Sequence, residues 1–271
     1  MSRYEFPIAL QLYSVRNELK ADFEGTLKKV KELGYDGVEF AGLYGHGAEE
    51  VKALCDKYNL VPISAHVPLA DMMKDPDLIR VYKQIGCAYV VIPYLPEDQR
   101  PGQPKFEEVI RNAKVLAEKA KAAGMKLCYH NHDFEFVKIG GEYAIDILYR
   151  EVPDLMPQFD TCWVKVGGEN PAAYLRKYAG RQEITHLKDF VGSKSENMYA
   201  LIGIDENEKK EAADKFELRP LGKGVQNFPE ILDAAKEIGI KWVVVEQDEP
   251  SMGKTPMECA EISIAYLKSI F

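Results

Sequence analysis

The stretch Met125-Lys126-Leu127-Cys128-Tyr129-His130-Asn131-His132-Asp133-Phe134-Glu135-Phe136 starts as a short apolar strand and ends in polar side chains. Two of the chain's 5 histidines and two carboxylates fall just where that strand stops. Neutral imidazole and carboxylate are ligand types for zinc, manganese or iron. Three comparable strand ends follow downstream: Gln158-Phe159-Asp160, Ile184-Thr185-His186 and Val244-Val245-Glu246. Apolar strands that repeatedly end in polar groups point to one site gathered at one end of a barrel.

Outward from that stretch, short apolar runs alternate with amphipathic ones. Strands are expected at Ile8–Leu12, Val38–Phe40, Val61–His66, Tyr89–Ile92, Lys126–Asn131, Gln158–Asp160, Glu183–Leu187 and Trp242–Glu246. Helices are expected at Asp22–Leu33, Ala48–Tyr58, Pro76–Ile85, Phe106–Ala123, Tyr143–Arg150, Pro171–Tyr178, Phe228–Ile238 and Pro256–Ile270. Phe23, Leu27, Val30 and Leu33 recur at helical spacing, with Asp22 placed to cap and Gly34 to terminate. Runs such as Val243-Val244-Val245 suit strands covered on both faces. Eight strand–helix units match a (β/α)8 TIM barrel, an α/β fold, and the whole chain, residues 1–271, is expected to form one such domain. The one long insertion, Val191 to Glu217, is highly charged and follows the seventh strand, on the face where barrel sites form.

With 271 residues, 46% apolar and 29% charged, the composition is that of a globular protein. The net charge of −8 argues against nucleic acid, which requires a basic face. No signal peptide and no apolar run near the length of a bilayer span is visible, so no membrane association is expected. The 5 cysteines are scattered and form no Cys-x-x-Cys pair, which fits reduced thiols in a cytoplasmic protein. A homo-oligomer is left open.

In a barrel the strand ends converge on one mouth. Here that mouth gathers Gln11, Glu39, His66, the His130-to-Glu135 cluster, Asp160, His186, Lys188, Asp189 and Glu246. A lone histidine at a strand end is more often structural than functional, but polar endings on nearly every strand shift that balance. Buried carboxylates facing one another repel unless a cation or proton intervenes. Asp160, Glu246 and a third carboxylate meeting His186 therefore favour a divalent metal. His66 reads equally as a proton-transfer group or an oriented core histidine. Glu39 reads equally as a sugar-hydroxyl ligand or a loop cap. Lys188 is a hydroxyl or oxyanion donor, or else a salt-bridge partner of Glu39 or Asp189. Trp163 lines a sugar pocket or fills the core. Gly222-Lys223-Gly224 is too short for a phosphate loop. Charged runs such as Glu206 to Glu211 read as solvated faces.

The chain resembles the sugar phosphate isomerase/epimerase family of xylose isomerase-like barrels. The likeness is carried by Leu10-Gln11-Leu12-Tyr13-Ser14-Val15-Arg16, Gly34-Tyr35-Asp36-Gly37-Val38-Glu39-Phe40, Tyr129-His130-Asn131-His132, Phe159-Asp160-Thr161, His186-Leu187-Lys188-Asp189 and Val245-Glu246-Gln247-Asp248. It implies a divalent metal (manganese, zinc, cobalt or magnesium) held by Glu, Asp, His and Glu from strands five to eight. Asp160, His186 and Glu246 carry over directly. The strand-five position holds His130 where the family's ketose epimerases have a Glu. Glu135, five residues on, is taken as the fourth ligand, with His130 or His132 as the alternative.

The resemblance implies isomerisation or epimerisation of a small carbohydrate by proton abstraction next to a carbonyl, through an enediolate stabilised by the metal. The catalytic candidates are His66, His130, His132, Lys188 and Glu246, with Glu39 and Trp163 for substrate. The alternative on the same site is a keto-sugar lyase or dehydratase working by β-elimination, including cleavage of 3-keto-glycosides. A nuclease like the apurinic endonucleases and a non-catalytic sugar-binding protein rank lower.

Overall fold

The computed structural model describes residues 3–195, 198, 199 and 216–271. Eight barrel strands run in chain order: β1 Ile8–Gln11, β2 Gly37–Phe40, β3 Val61–His66, β4 Tyr89–Ile92, β5 Lys126–His130, β6 Met156–Gln158, β7 Ile184–Leu187 and β8 Trp242–Val245. The helices that cover them are α1 Phe23–Leu33, α2 Ala48–Tyr58, α3 Asp77–Ile85, α4 Phe106–Ala122, α5 Ala144–Glu151, α6 Pro171–Lys177, α7 Phe228–Ile238 and α8 Pro256–Ile270. Neighbouring strands pair in parallel in the order β6-β5-β4-β3-β2-β1-β8-β7. An isolated bridge between Asp160 and His186 closes the circle, with the His186 N–H donating to the Phe159 carbonyl at 2.8 Å. This is the expected (β/α)8 barrel.

Local chemistry sets the element ends. Asp22 accepts the Gly25 N–H at 2.9 Å and caps α1, which buries Phe23, Leu27 and Val30. Gly34 ends it at φ 98°, a conformation that favours glycine. Thr255 and Glu258 form a reciprocal capping box at the start of α8. The register slips between β2 and β3 at Val38/Glu39, beside Pro62, which has no N–H to give to the ladder. The slip places Glu39 opposite Ser64. Irregularities of this kind re-aim side chains near functional sites.

Three features depart from the sequence expectation. The sixth strand ends at Gln158, and Asp160 instead caps a short helix, Thr161–Val166, by accepting the Cys162 N–H at 2.8 Å. A second short helix, Leu69–Lys74, precedes α3. The ends of the charged insertion form an antiparallel hairpin, Asp189–Gly192 with Phe216–Arg219. Residues 200–215, including the run from Glu206 to Glu211, lie outside the described residues. All five cysteines are buried and unpaired. Among the described residues, no helix is long and apolar enough to cross a membrane.

At the opposite rim, Glu183 fastens the strand starts. Its carboxylate meets Lys126 at 2.8 Å and Lys241 at 2.7 Å, and accepts the Tyr89 hydroxyl at 2.7 Å. Burial alone would raise its pKa, but the bonds from Lys126, Lys241 and Tyr89 win and hold it at about 2. Its contribution to stability is therefore whole above the ordinary carboxylate value of 4.5 and is lost as pH falls through about 2. Glu183→Gln should lower the neutral-pH melting temperature by about 2–4 °C, the shift that about 1 kcal/mol gives in a domain of this size. Calorimetry across pH should show that gap closing between pH 4.5 and 2. A gap that stays constant into acid would reject the role.

Candidate active site

Glu39, fully buried at the end of β2, organises the mouth. It accepts hydrogen bonds from Gln11 Nε2 at 2.7 Å, Ser64 Oγ at 2.5 Å and Gln158 Nε2 at 2.6 Å. His186 Nε2 donates to it at 2.6 Å, and His66 Nε2 lies 3.1 Å away. Burial would raise the Glu39 pKa, but His66 and His186 hold it well below the ordinary carboxylate range. Gln158 turns its amide oxygen to the other two rings, accepting from His66 Nε2 at 2.8 Å and His130 Nδ1 at 3.3 Å.

These bonds decide which imidazole atoms remain for a ligand. With Nε2 fixed by Glu39, His186 presents Nδ1 to Glu246 Oε2 at 2.9 Å. With Nδ1 turned to Gln158, His130 presents Nε2 toward Asp160 Oδ2 at 3.6 Å and Glu246 Oε2 at 3.9 Å. Ligand-capable atoms of His130, Asp160, His186 and Glu246 all lie within 4.8 Å of one another, and all four residues are buried. Histidines that bind metals usually hand their second N–H to a carboxylate or carbonyl, as both rings do here. Asn131 supports the set by accepting the Asp160 backbone N–H at 2.9 Å.

Lys188, 1% exposed, brings its ammonium to 3.0 Å from Asp160 Oδ2, 2.9 Å from Glu246 Oε2 and 2.8 Å from Asp248 Oδ2. Asp160 Oδ2 and Asp248 Oδ2 meet Lys188 as ion-pair partners and, buried, have no other polar partner among the described residues except the His130 ring near Asp160. Burial would lower the Lys188 pKa, but Asp160, Asp248 and Glu246 raise it well above the usual value. Burial likewise opposes a charged His186, but Glu39 and Glu246 lift it to about 10. Burial first, then the neighbouring His186, pushes His130 well below 6.5 and keeps it neutral. Burial pushes Asp248 up to about 6; Lys188 pulls it down and Glu246 adds to the rise. Four buried carboxylates thus share one ammonium and one imidazolium, a donor set and charge balance that fit a divalent cation. A metal would replace the proton on His186 Nδ1.

The structure brings together Glu39, His66, His130, His132, His186, Lys188, Asp160 and Glu246, and sets Glu135 and Trp163 apart from them. Glu135, the expected fourth metal ligand, lies outside the group of ligand-capable side chains around Asp160, His186 and Glu246, and His130 lies within it. A 3-10 turn, Phe134–Phe136, folds Glu135 beneath the strand end. There its carboxylate accepts the Tyr129 hydroxyl and, at 2.8 Å, the His132 N–H, and burial pushes it up to about 8. Trp163 is fully buried, stacked on Phe216, and does not line the cavity. Glu39 sits behind His66 and His186 and does not line it either. Asp248, missed as a site residue, follows Glu246 by two residues, the spacing that returns a side chain to the same face of an extended segment. Gly222-Lys223-Gly224 wraps a carboxylate of the chain itself: the Gly222 and Gly224 N–H groups donate to Asp189 Oδ2 at 3.0 and 2.9 Å.

Above the cluster opens a cavity of about 570 Å³. His132 lines it, 3% exposed, and its ring makes no hydrogen bond among the described residues. The ring lies 5.4 Å from Phe134 in a stack and 5.3 Å from Trp163. Burial, then the Lys188 charge, keeps it neutral.

Known proteins share this framework. An inosose dehydratase of Geobacillus kaustophilus is 22% identical over 267 residues, covering 89% of this chain and 85% of that protein. An inosose dehydratase of Clostridium beijerinckii is 32% identical over 161 residues, covering 56% of this chain and 50% of its own length. The crystal structure of a sugar phosphate isomerase/epimerase from Parabacteroides distasonis superposes with a TM-score of 0.75 at 23% identity, covering 96% of this chain and 97% of that one. The family model described as xylose isomerase-like TIM barrel matches residues 27–270. The chain belongs to the xylose isomerase-like TIM barrel family.

Proposed function

We propose that the protein is a dehydratase that removes water by β-elimination from an uncharged cyclic keto-polyol of the inosose class, with a divalent metal held by His130, Asp160, His186 and Glu246. The observation that carries this reading is the convergence of those four side chains beside a cavity lined by two of them, His130 and Glu246, and by a neutral histidine, His132. The dehydratase names of the relatives favour elimination over the isomerase or epimerase reading drawn from the sequence. When bound, the cation supplies positive charge beside the carbonyl oxygen as the neighbouring carbon loses its proton.

His132 takes the α-proton, since its ring is neutral and free of internal hydrogen bonds. The C–O bond at the β-carbon then breaks, and the departing hydroxide leaves as water with the proton that His132 carries. Lys188 stabilises the negative charge that builds on oxygen during these steps. His66, tied to Gln158, borders the ring and orients its hydroxyls.

The test is proton NMR of an inosose in deuterated water with manganese or magnesium added. Exchange at the α-carbon and growth of an unsaturated ketone are expected, and a chelator should stop both. Exchange without loss of water would return the assignment to an epimerase. His132→Gln should reduce turnover about a hundredfold while metal affinity stays within a factor of about two. Unchanged turnover in that variant would remove His132 from the proton path.

A further inference from the structure

Two sets of contacts at the barrel mouth use the same pair of oxygens. Asp160 spends Oδ1 on a helix cap, accepting the Cys162 N–H at 2.8 Å, so Oδ2 is the oxygen it has left for a metal. Glu246 Oε2 is the oxygen that faces His186 Nδ1 at 2.9 Å and His130 Nε2 at 3.9 Å. Lys188 holds those same two oxygens, at 3.0 and 2.9 Å. An ammonium and a divalent cation crowded onto one pair of carboxylate oxygens repel each other strongly, and a lysine stem is flexible enough to yield. Lys188 has a third partner outside the metal set. Asp248 Oδ2 lies 2.8 Å from the ammonium, is buried, and has no other polar partner among the described residues. Its backbone is tied to the segment after β1: the Asp248 carbonyl accepts Arg16 Nη1 at 2.5 Å, and the Gln247 N–H donates to Ser14 Oγ at 3.1 Å. Asp248 therefore stays on the cavity wall, which Lys188 also lines.

We propose that Asp248 is the positioning residue that keeps Lys188 at the cavity when a metal occupies His130, Asp160, His186 and Glu246. Without the metal, the ammonium bridges three carboxylates and holds the ligand oxygens together. With it, the ammonium gives up Asp160 and Glu246 and pairs with Asp248 alone. An ammonium carries three donors, so a single carboxylate leaves others free to face the substrate oxygen on which charge builds. The Trp163 ring, 5.5 Å from Nζ, offers the released charge an aromatic face. This role depends on the four-residue metal set, whether the reaction is an elimination or an epimerisation.

Manganese affinity, measured by competition against a chelating dye, reads the coupling in the parent, Lys188→Met, Asp248→Asn and the double variant. Lys188→Met removes the competing cation and should tighten binding about tenfold or more. Asp248→Asn leaves the ammonium no partner except the metal ligands and should weaken binding about tenfold. In the Lys188→Met background the same Asp248→Asn change should cost about threefold or less, the share of its charge that acts on the ion directly. An equal loss in both backgrounds would overturn the assignment, since Asp248 would then act by charge alone. A crystal structure of the manganese-loaded parent covers the case in which Lys188→Met fails to fold. There Nζ should lie within about 3.2 Å of Asp248 and beyond about 4 Å from Asp160 and Glu246. An ammonium still bridging all three carboxylates beside the ion would equally overturn it. No manganese binding by the parent would remove the metal set and the role of Asp248 together; binding without the coupling removes the role of Asp248 alone.

Discussion

Lys188→Met is expected to lower the melting temperature of the metal-free protein by about 10 °C, corresponding to about 3–5 kcal/mol. Methionine nearly matches the lysine stem in length but brings no charge. The ammonium lies 2.8–3.0 Å from Asp160, Glu246 and Asp248, so its loss leaves three buried carboxylates facing one another. Taking one partner from a buried ion cluster costs more than the cluster contributes, because the charges left behind cannot be resolvated. Added manganese should therefore raise the melting temperature of the variant by more degrees than that of the parent. Scanning calorimetry with and without the metal reads both effects. A variant as stable as the parent would mean that the three carboxylates are not charged together.

Glu39→Gln exchanges one oxygen for an amide nitrogen, and a large effect is still expected. Each Glu39 oxygen accepts two hydrogen bonds, from Gln11 and His186 on one side and from Ser64 and Gln158 on the other. Whichever way the amide turns, two donors lose their acceptor, at a cost of about 2–4 kcal/mol. The second effect falls on the metal. His186 no longer has a carboxylate on Nε2 to fix its ring and raise its basicity, so metal affinity should fall about 10–100-fold. Competition against a chelating dye measures it. Affinity within about twofold of the parent would show that Glu39 holds the fold and not the ligand.

Much of this arrangement is legible in the sequence, and the rest is hidden for identifiable reasons. The barrel is written in the apolar runs, because strands covered on both faces need uninterrupted Val, Ile and Leu, as at Trp242–Val245. Asp160, His186 and Glu246 are recognisable because each closes such a run. Strand five is ambiguous in sequence. His130 and Glu135 are both sound metal ligands, and what separates them is the 3-10 turn at Phe134–Phe136, which carries no strong sequence signal. The Tyr129 hydroxyl that takes up Glu135 sits six residues back on the strand, and a linear reading does not pair the two. The place of Trp163 is hidden in the sequence because its surroundings, Phe190 and Phe216, come from a distant hairpin. The role of Glu39 depends on the slip beside Pro62, which sets it opposite Ser64 and within reach of His186.

A crystal structure of the manganese-loaded protein, with the ion located by anomalous scattering, shows directly whether the four side chains hold one cation. One strong peak is expected at the barrel mouth, about 2.0–2.2 Å from atoms of His130, Asp160, His186 and Glu246. A peak bonded to Glu135 in place of His130, a peak elsewhere on the molecule, or no peak at saturating manganese would contradict the four-residue site.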